Sequence, residues 1–74
     1  MYEYIIRAYR VFPTVGERVR HKRTGRFGTI APEDPGAGHY VQVRFDGTDH
    51  ALPCHPTEME YLGRPGPNAG AIAA

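Results

Sequence analysis

The chain has 74 residues, of which 9 are Lys or Arg, 8 are Asp or Glu, 9 are Gly and 7 are Pro. A length of this order allows one domain whose folding buries only about 60% of the unfolded surface, and the balanced charge with 5 Tyr and 3 Phe argues against a disordered chain. Cys54 is the single cysteine, which excludes a disulfide-stapled secreted domain, and no apolar run comes near the roughly 20 residues of a membrane span.

Met1–Phe12 is interrupted by Glu3, Arg7 and Arg10 and lacks the apolar stretch of a signal peptide, so a cytoplasmic location without a membrane partner is expected. Glu3 and Arg7 at i,i+4 fit a helix. Against that, Tyr2, Tyr4, Ile5, Ile6, Tyr9, Val11 and Phe12 are β-favouring types with no capping residue before them. The expectation is an aromatic N-terminal extension over residues 1–14, formed as a strand. Pro13 and Gly16 around Thr14 predict a turn there rather than a helix N-cap.

Residues 15–62 read as short strands separated by turn chemistry. Val15, Glu17 and Val19 alternate with Gly16, Arg18 and Arg20, a half-buried strand that ends near His21. Lys22-Arg23-Thr24-Gly25 is a polar turn with glycine available for positive φ. Phe27–Ala31 forms a second strand, in which Gly28 marks a bulge or a close backbone approach. Pro32–Gly38 is a loop. Tyr40–Phe45 is the clearest strand, with Val41, Val43 and Phe45 on one face and Tyr40, Gln42 and Arg44 on the other. Asp46-Gly47 predicts a tight type I′ hairpin with Thr48–Leu52 as the return strand. Pro53 and Pro56 stop regular pairing. Pro56–Met59 suits one 3₁₀ turn, and Glu60–Leu62 a last short strand. The tail, residues 63–74, holds one large apolar residue, Ile72, and is expected to be flexible.

An all-β chain of about five short strands, with a long loop after the second and a 3₁₀ turn before the last, resembles the SH3-like barrel. The resemblance covers residues 16–62 and implies a sheet closed on itself. Val15, Val19, Phe27, Ile30, Val41, Val43, Phe45, Leu52, Met59 and Leu62 would fill its interior.

Charge divides unevenly along the chain. Residues 1–29 carry seven cations (Arg7, Arg10, Arg18, Arg20, Lys22, Arg23, Arg26) against Glu3 and Glu17, a balance of +5, and residues 30–74 balance at −4. Either the halves stay apart and leave a basic surface, or the fold interleaves them and pairs the charges.

The run Gly16-Glu17-Arg18-Val19-Arg20 followed by Gly25-Arg26-Phe27-Gly28-Thr29-Ile30 is similar to the opening of the KOW motif of ribosome- and transcription-associated proteins. That resemblance implies nucleic-acid or acidic-partner contacts from Arg18, Arg20, His21, Lys22, Arg23 and Arg26, with Tyr40 able to stack a base. The opening Val11-Phe12-Pro13, Gly16–Arg20 and the basic turn ending in Gly25 are also similar to plasmid-borne type II dihydrofolate reductase, a homotetramer. That family lines its pore with a Val-Gln-Ile-Tyr run and a lysine. Here the late strand reads His50-Ala51-Leu52-Pro53-Cys54-His55 and the lysine position is His21 or Lys22, so the folate and nicotinamide residues do not carry over. An oligomeric enzyme with a rebuilt pore is the alternative to a non-catalytic binding module.

His50, Cys54 and His55 lie within six residues, but the His-x₃-Cys-His spacing is not that of a zinc site, and neither a metal nor a cofactor is expected. Catalytic Cys–His pairs are normally spatial neighbours from different elements, which Cys54-His55 are not. The aromatics Tyr2, Tyr4, Tyr9 and Phe12 are expected to form a protein-interaction surface, either for a partner or for self-association.

Overall fold

The computed structural model describes residues 2–66. One helix and five strands follow in the order α1 (Glu3–Tyr9), β1 (Glu17–His21), β2 (Phe27–Ile30), β3 (Val41–Phe45), β4 (Leu52–Cys54) and β5 (Met59–Pro65), with 3₁₀ turns at Pro35–Ala37 and Pro56–Glu58. The strands form one antiparallel sheet in the order β4-β3-β2-β1-β5. Among the described residues no helix is long and apolar enough to cross a membrane.

Period-two alternation selects the core. Val19, Gly28 and Phe45 share one row across β1, β2 and β3, and Ile30 pairs with Val43 on the same face. Val19, Ile30, Val41, Val43, Phe45, Cys54 and Met59 are buried there. Gly28 sits where the sheet is closest to its own core: a Cβ would come within 2.6 Å of Val43 Cγ1 and 3.0 Å of the Arg44 carbonyl oxygen. The ladder on both sides of Gly28 is regular, so its glycine answers to close approach and not to a bulge.

Where a strand is expected over residues 1–12, Glu3–Tyr9 is a helix. Ile6 N donates to Tyr2 O, and Arg10 N to Ile6 O, each at 3.0 Å, with Glu3 in the first turn and Arg7 in the last. Seven residues are too few to hold a helix alone. Packing holds it: Tyr2 and Ile5 are fully buried in the core, and Tyr9 packs against it. The spacing of Tyr2, Ile5 and Tyr9 is helical, and burial of that stripe outweighs the β-propensity of the individual residues. Tyr2 and Ile5 therefore belong to the hydrophobic core, with Tyr9 and Val11 packed against it. Both helix ends are left-handed at non-glycine residues, with φ of 56° at Tyr2 and 59° at Arg10, a strain of about 1–2 kcal/mol each. At Tyr2 it is offset by a buried hydroxyl that donates to Ala31 O at 2.7 Å and accepts from Gln42 N at 3.0 Å.

Three boundaries also differ from expectation. The return strand begins at Leu52, not Thr48, with Val43 opposite Leu52. Only Gly47 has positive φ in the Asp46-Gly47 turn, so it is not type I′, and Thr48 Oγ1 bonds Phe45 O at 2.7 Å and His50 O at 3.2 Å to close a wider loop. Pro53 lies inside β4, which it can do because β4 is an edge strand. β5 continues through Pro65, and Gly66 N donates to Gly16 O at 2.8 Å, so the first residues of the expected tail are paired. Residues 67–74, the rest of that tail, lie outside the described residues.

Phe27 and Leu52 are exposed rather than core, and Val15 and Leu62 only half-buried. The 3₁₀ turn at Pro56–Glu58 forms as expected. Its cap is unusual, since His55 Nδ1 accepts from Thr57 N while the Glu58 carboxylate accepts from His55 N.

Candidate functional site

The two halves of the chain interleave, and this decides which cations remain available. Arg18 projects from the outer face of β1 and forms a bidentate pair with Asp46 beyond β3, Nη1 to Oδ1 at 2.6 Å and Nη2 to Oδ2 at 2.5 Å. That hydrogen bond, reinforced by the charge, holds the Asp46 carboxyl below its ordinary pKa and raises that of Arg18. Arg20 pairs with Glu60 at 2.8 Å, because β1 and β5 place the two directly opposite each other. Two of the expected phosphate-binding residues are thus neutralised within the fold.

Lys22, Arg23 and Arg26 are different. They occupy the β1–β2 turn, are exposed, and form no ion pair among the described residues. Lys22 Nζ donates to Thr57 O at 3.1 Å, and the Arg26 guanidinium lies 4.7 Å from the centroid of the Phe45 ring at the mouth of the core. Neither contact removes the positive charge.

The turn is preformed. Gly25 takes φ of 75° and donates its N–H to His21 O, while His21 N donates to Arg26 O, both at 2.8 Å. His21 is buried on the core face, so it cannot reach a phosphate as expected. Its Nδ1 instead accepts from Arg23 N at 3.3 Å and Thr24 N at 3.4 Å, which fixes the loop that carries the cations. Lys22 N is satisfied by Glu58 O at 2.9 Å.

Tyr40 does not join this cluster. It is 45% exposed, but it precedes β3, whereas the basic turn lies beside Phe45 and Asp46 at the far end of that strand. Five residues of strand separate the two ends by roughly 16 Å. The aromatic residue near the cations is Phe27, 40% exposed on the outer face. Arg20 is its cross-strand partner, and the Arg18 guanidinium carbon is 5.2 Å from its ring centroid. Parity could have located it: Phe27 and Ile30 are three residues apart on one strand, so they cannot both face the core. Arg44 shares the same outer face, on the row Arg18–Thr29–Arg44. Its Nη2 is buried without a hydrogen-bond partner.

The N-terminal aromatics separate as well. Tyr2 is core, and burial pushes its hydroxyl pKa up to about 12, so it offers no partner surface. Tyr9 is half-buried with its ring against His55, centroids 5.1 Å apart. Tyr4 is exposed beside His39, and Phe12 is 68% exposed. Phe12 lines an open groove of about 440 Å³ together with Val15, Glu17, Arg64 and Pro65.

His50 is exposed and bonded to Asp49 at 3.0 Å, while Cys54 is buried, which pushes its thiol pKa up. Among the described residues no group of three His, Cys, Asp or Glu side chains is placed to hold a metal ion. No family model, no curated protein and no solved structure matches this chain.

Proposed function

We propose that this protein is a small non-catalytic binding module of SH3-like type that contacts the phosphate backbone of nucleic acid through its β1–β2 turn. The observation that supports this most directly is the contrast within one basic run. Arg18 and Arg20 are paired to carboxylates, whereas Lys22, Arg23 and Arg26 are presented together on a turn fixed by His21. Backbone contacts of this kind are electrostatic and carry no sequence information by themselves. A cytoplasmic location accompanies this reading.

The test is binding of a labelled oligonucleotide as a function of salt. Wild-type affinity should fall linearly with log salt concentration, and Lys22→Ala with Arg23→Ala should reduce the slope by roughly one to two. An unchanged slope in the double variant would remove the turn from the interface. A second reading, protein contact through the N-terminus, narrows to Tyr4 and Phe12. It predicts self-association or partner binding that Phe12→Ser abolishes.

A further inference from the structure

Taking the basic turn as a phosphate-binding element, we infer that its ligand is a single strand, one of whose bases stacks on Phe27. The ring stands on the solvent face of β2 immediately after Arg26 and directly across from Arg20. An exposed phenyl contributes little to the core. The Arg18 guanidinium lies over one side of the ring, and the ring follows directly on the turn that carries Lys22, Arg23 and Arg26, which places a stacking surface next to the free cations. Arg18 already rests against the ring, held there by Asp46.

The strandedness follows from the geometry of stacking. A base inside a duplex has both faces occupied by its neighbours, so a ring on a sheet surface can receive only a base splayed from a single strand. A phenyl has no hydrogen-bonding group, so discrimination among bases at this position is weak. Direct readout through the major groove would instead need a helix or ribbon carrying amide or guanidinium groups toward base edges. The outer face here belongs to a five-stranded antiparallel sheet.

Fluorescence anisotropy with a short labelled oligothymidylate, and with its duplex with oligoadenylate, tests this. Phe27→Ala should weaken single-strand binding about 5- to 100-fold. Phe27→Trp should bind as well as wild type or better. Neither should change the salt slope, and the duplex should bind less tightly than the single strand. Binding by Phe27→Ala within about twofold of wild type would overturn the inference, as would a preference for duplex. Equal losses in the Ala and Trp variants would also contradict it, because indole stacks at least as well as phenyl. The two readings fail separately. If only the turn variant loses affinity, phosphate contact stands and stacking falls; if the wild type shows no salt-dependent binding, both fall.

Discussion

At one end of β3, Tyr2 is buried, and its hydroxyl joins Ala31 O to Gln42 N where the ladder between β2 and β3 opens. At the other end, Lys22, Arg23 and Arg26 extend into solvent from a turn held by backbone bonds and the His21 imidazole. Both regions looked like candidate interaction surfaces, one aromatic and one basic. Burial separates them. Aromatic side chains lose exposure wherever a helical stripe lets them reach the core, whereas a charge is held back only by an opposite charge at the right register. Tyr2 and Ile5 therefore serve stability, whereas the cations of the turn stay in solvent.

The largest loss of stability is expected at Ile5. Ile5→Ala removes a fully buried side chain from the helix face and should cost about 2–5 kcal/mol, enough to unfold much of a domain this small. A denaturant midpoint close to wild type would return residues 1–12 to the role of an appendage. Tyr2→Phe isolates the polar part of the same anchor. It leaves Gln42 N without its acceptor and should cost about 1–3 kcal/mol while keeping the helix.

The neutral Tyr2 hydroxyl is the favoured form in the fold, with its pKa raised by burial from 10.0 to about 12. Its contribution is fully present below the unfolded value and is lost as pH rises through the folded one. Wild-type stability should fall between about pH 10 and 12, and Tyr2→Phe should flatten part of that fall. Burial also raises the Tyr61 hydroxyl, which leaves a residual slope.

The smallest effect belongs to the surface pair. Asp46→Asn removes a bidentate but half-exposed ion pair with Arg18, worth less than about 1 kcal/mol. With its folded pKa lowered, Asp46 stabilises above the ordinary aspartate range and loses that contribution as pH falls through the folded value. The variant should be slightly less stable than wild type at neutral pH and converge with it in acid. Its effect on ligand binding should be the opposite, since Arg18 is released beside Phe27.

Much of the sheet was legible from local chemistry. Alternation located β1, β2 and β3 to within two residues, and Gly25 and the Pro56–Glu58 turn occupy the conformations their residue types favour. The helix was obscured because its residues are β-favouring types, although Tyr2, Ile5 and Tyr9 carry its period. The basic run was visible, but the register that neutralises part of it was not. Arg20 and Glu60 are 40 positions apart and meet only because β5 returns beside β1. Phe27 was hidden by counting it as core, which strand parity forbids once Ile30 faces inward.

One measurement tests the division directly: amide chemical-shift mapping of the labelled protein titrated with an oligothymidylate. Shifts should concentrate at Arg20–Phe27, with the amides of Tyr2, Ile5 and Tyr9 unmoved. Shifts confined to α1 and Phe12, or none at any residue of the turn, would contradict it.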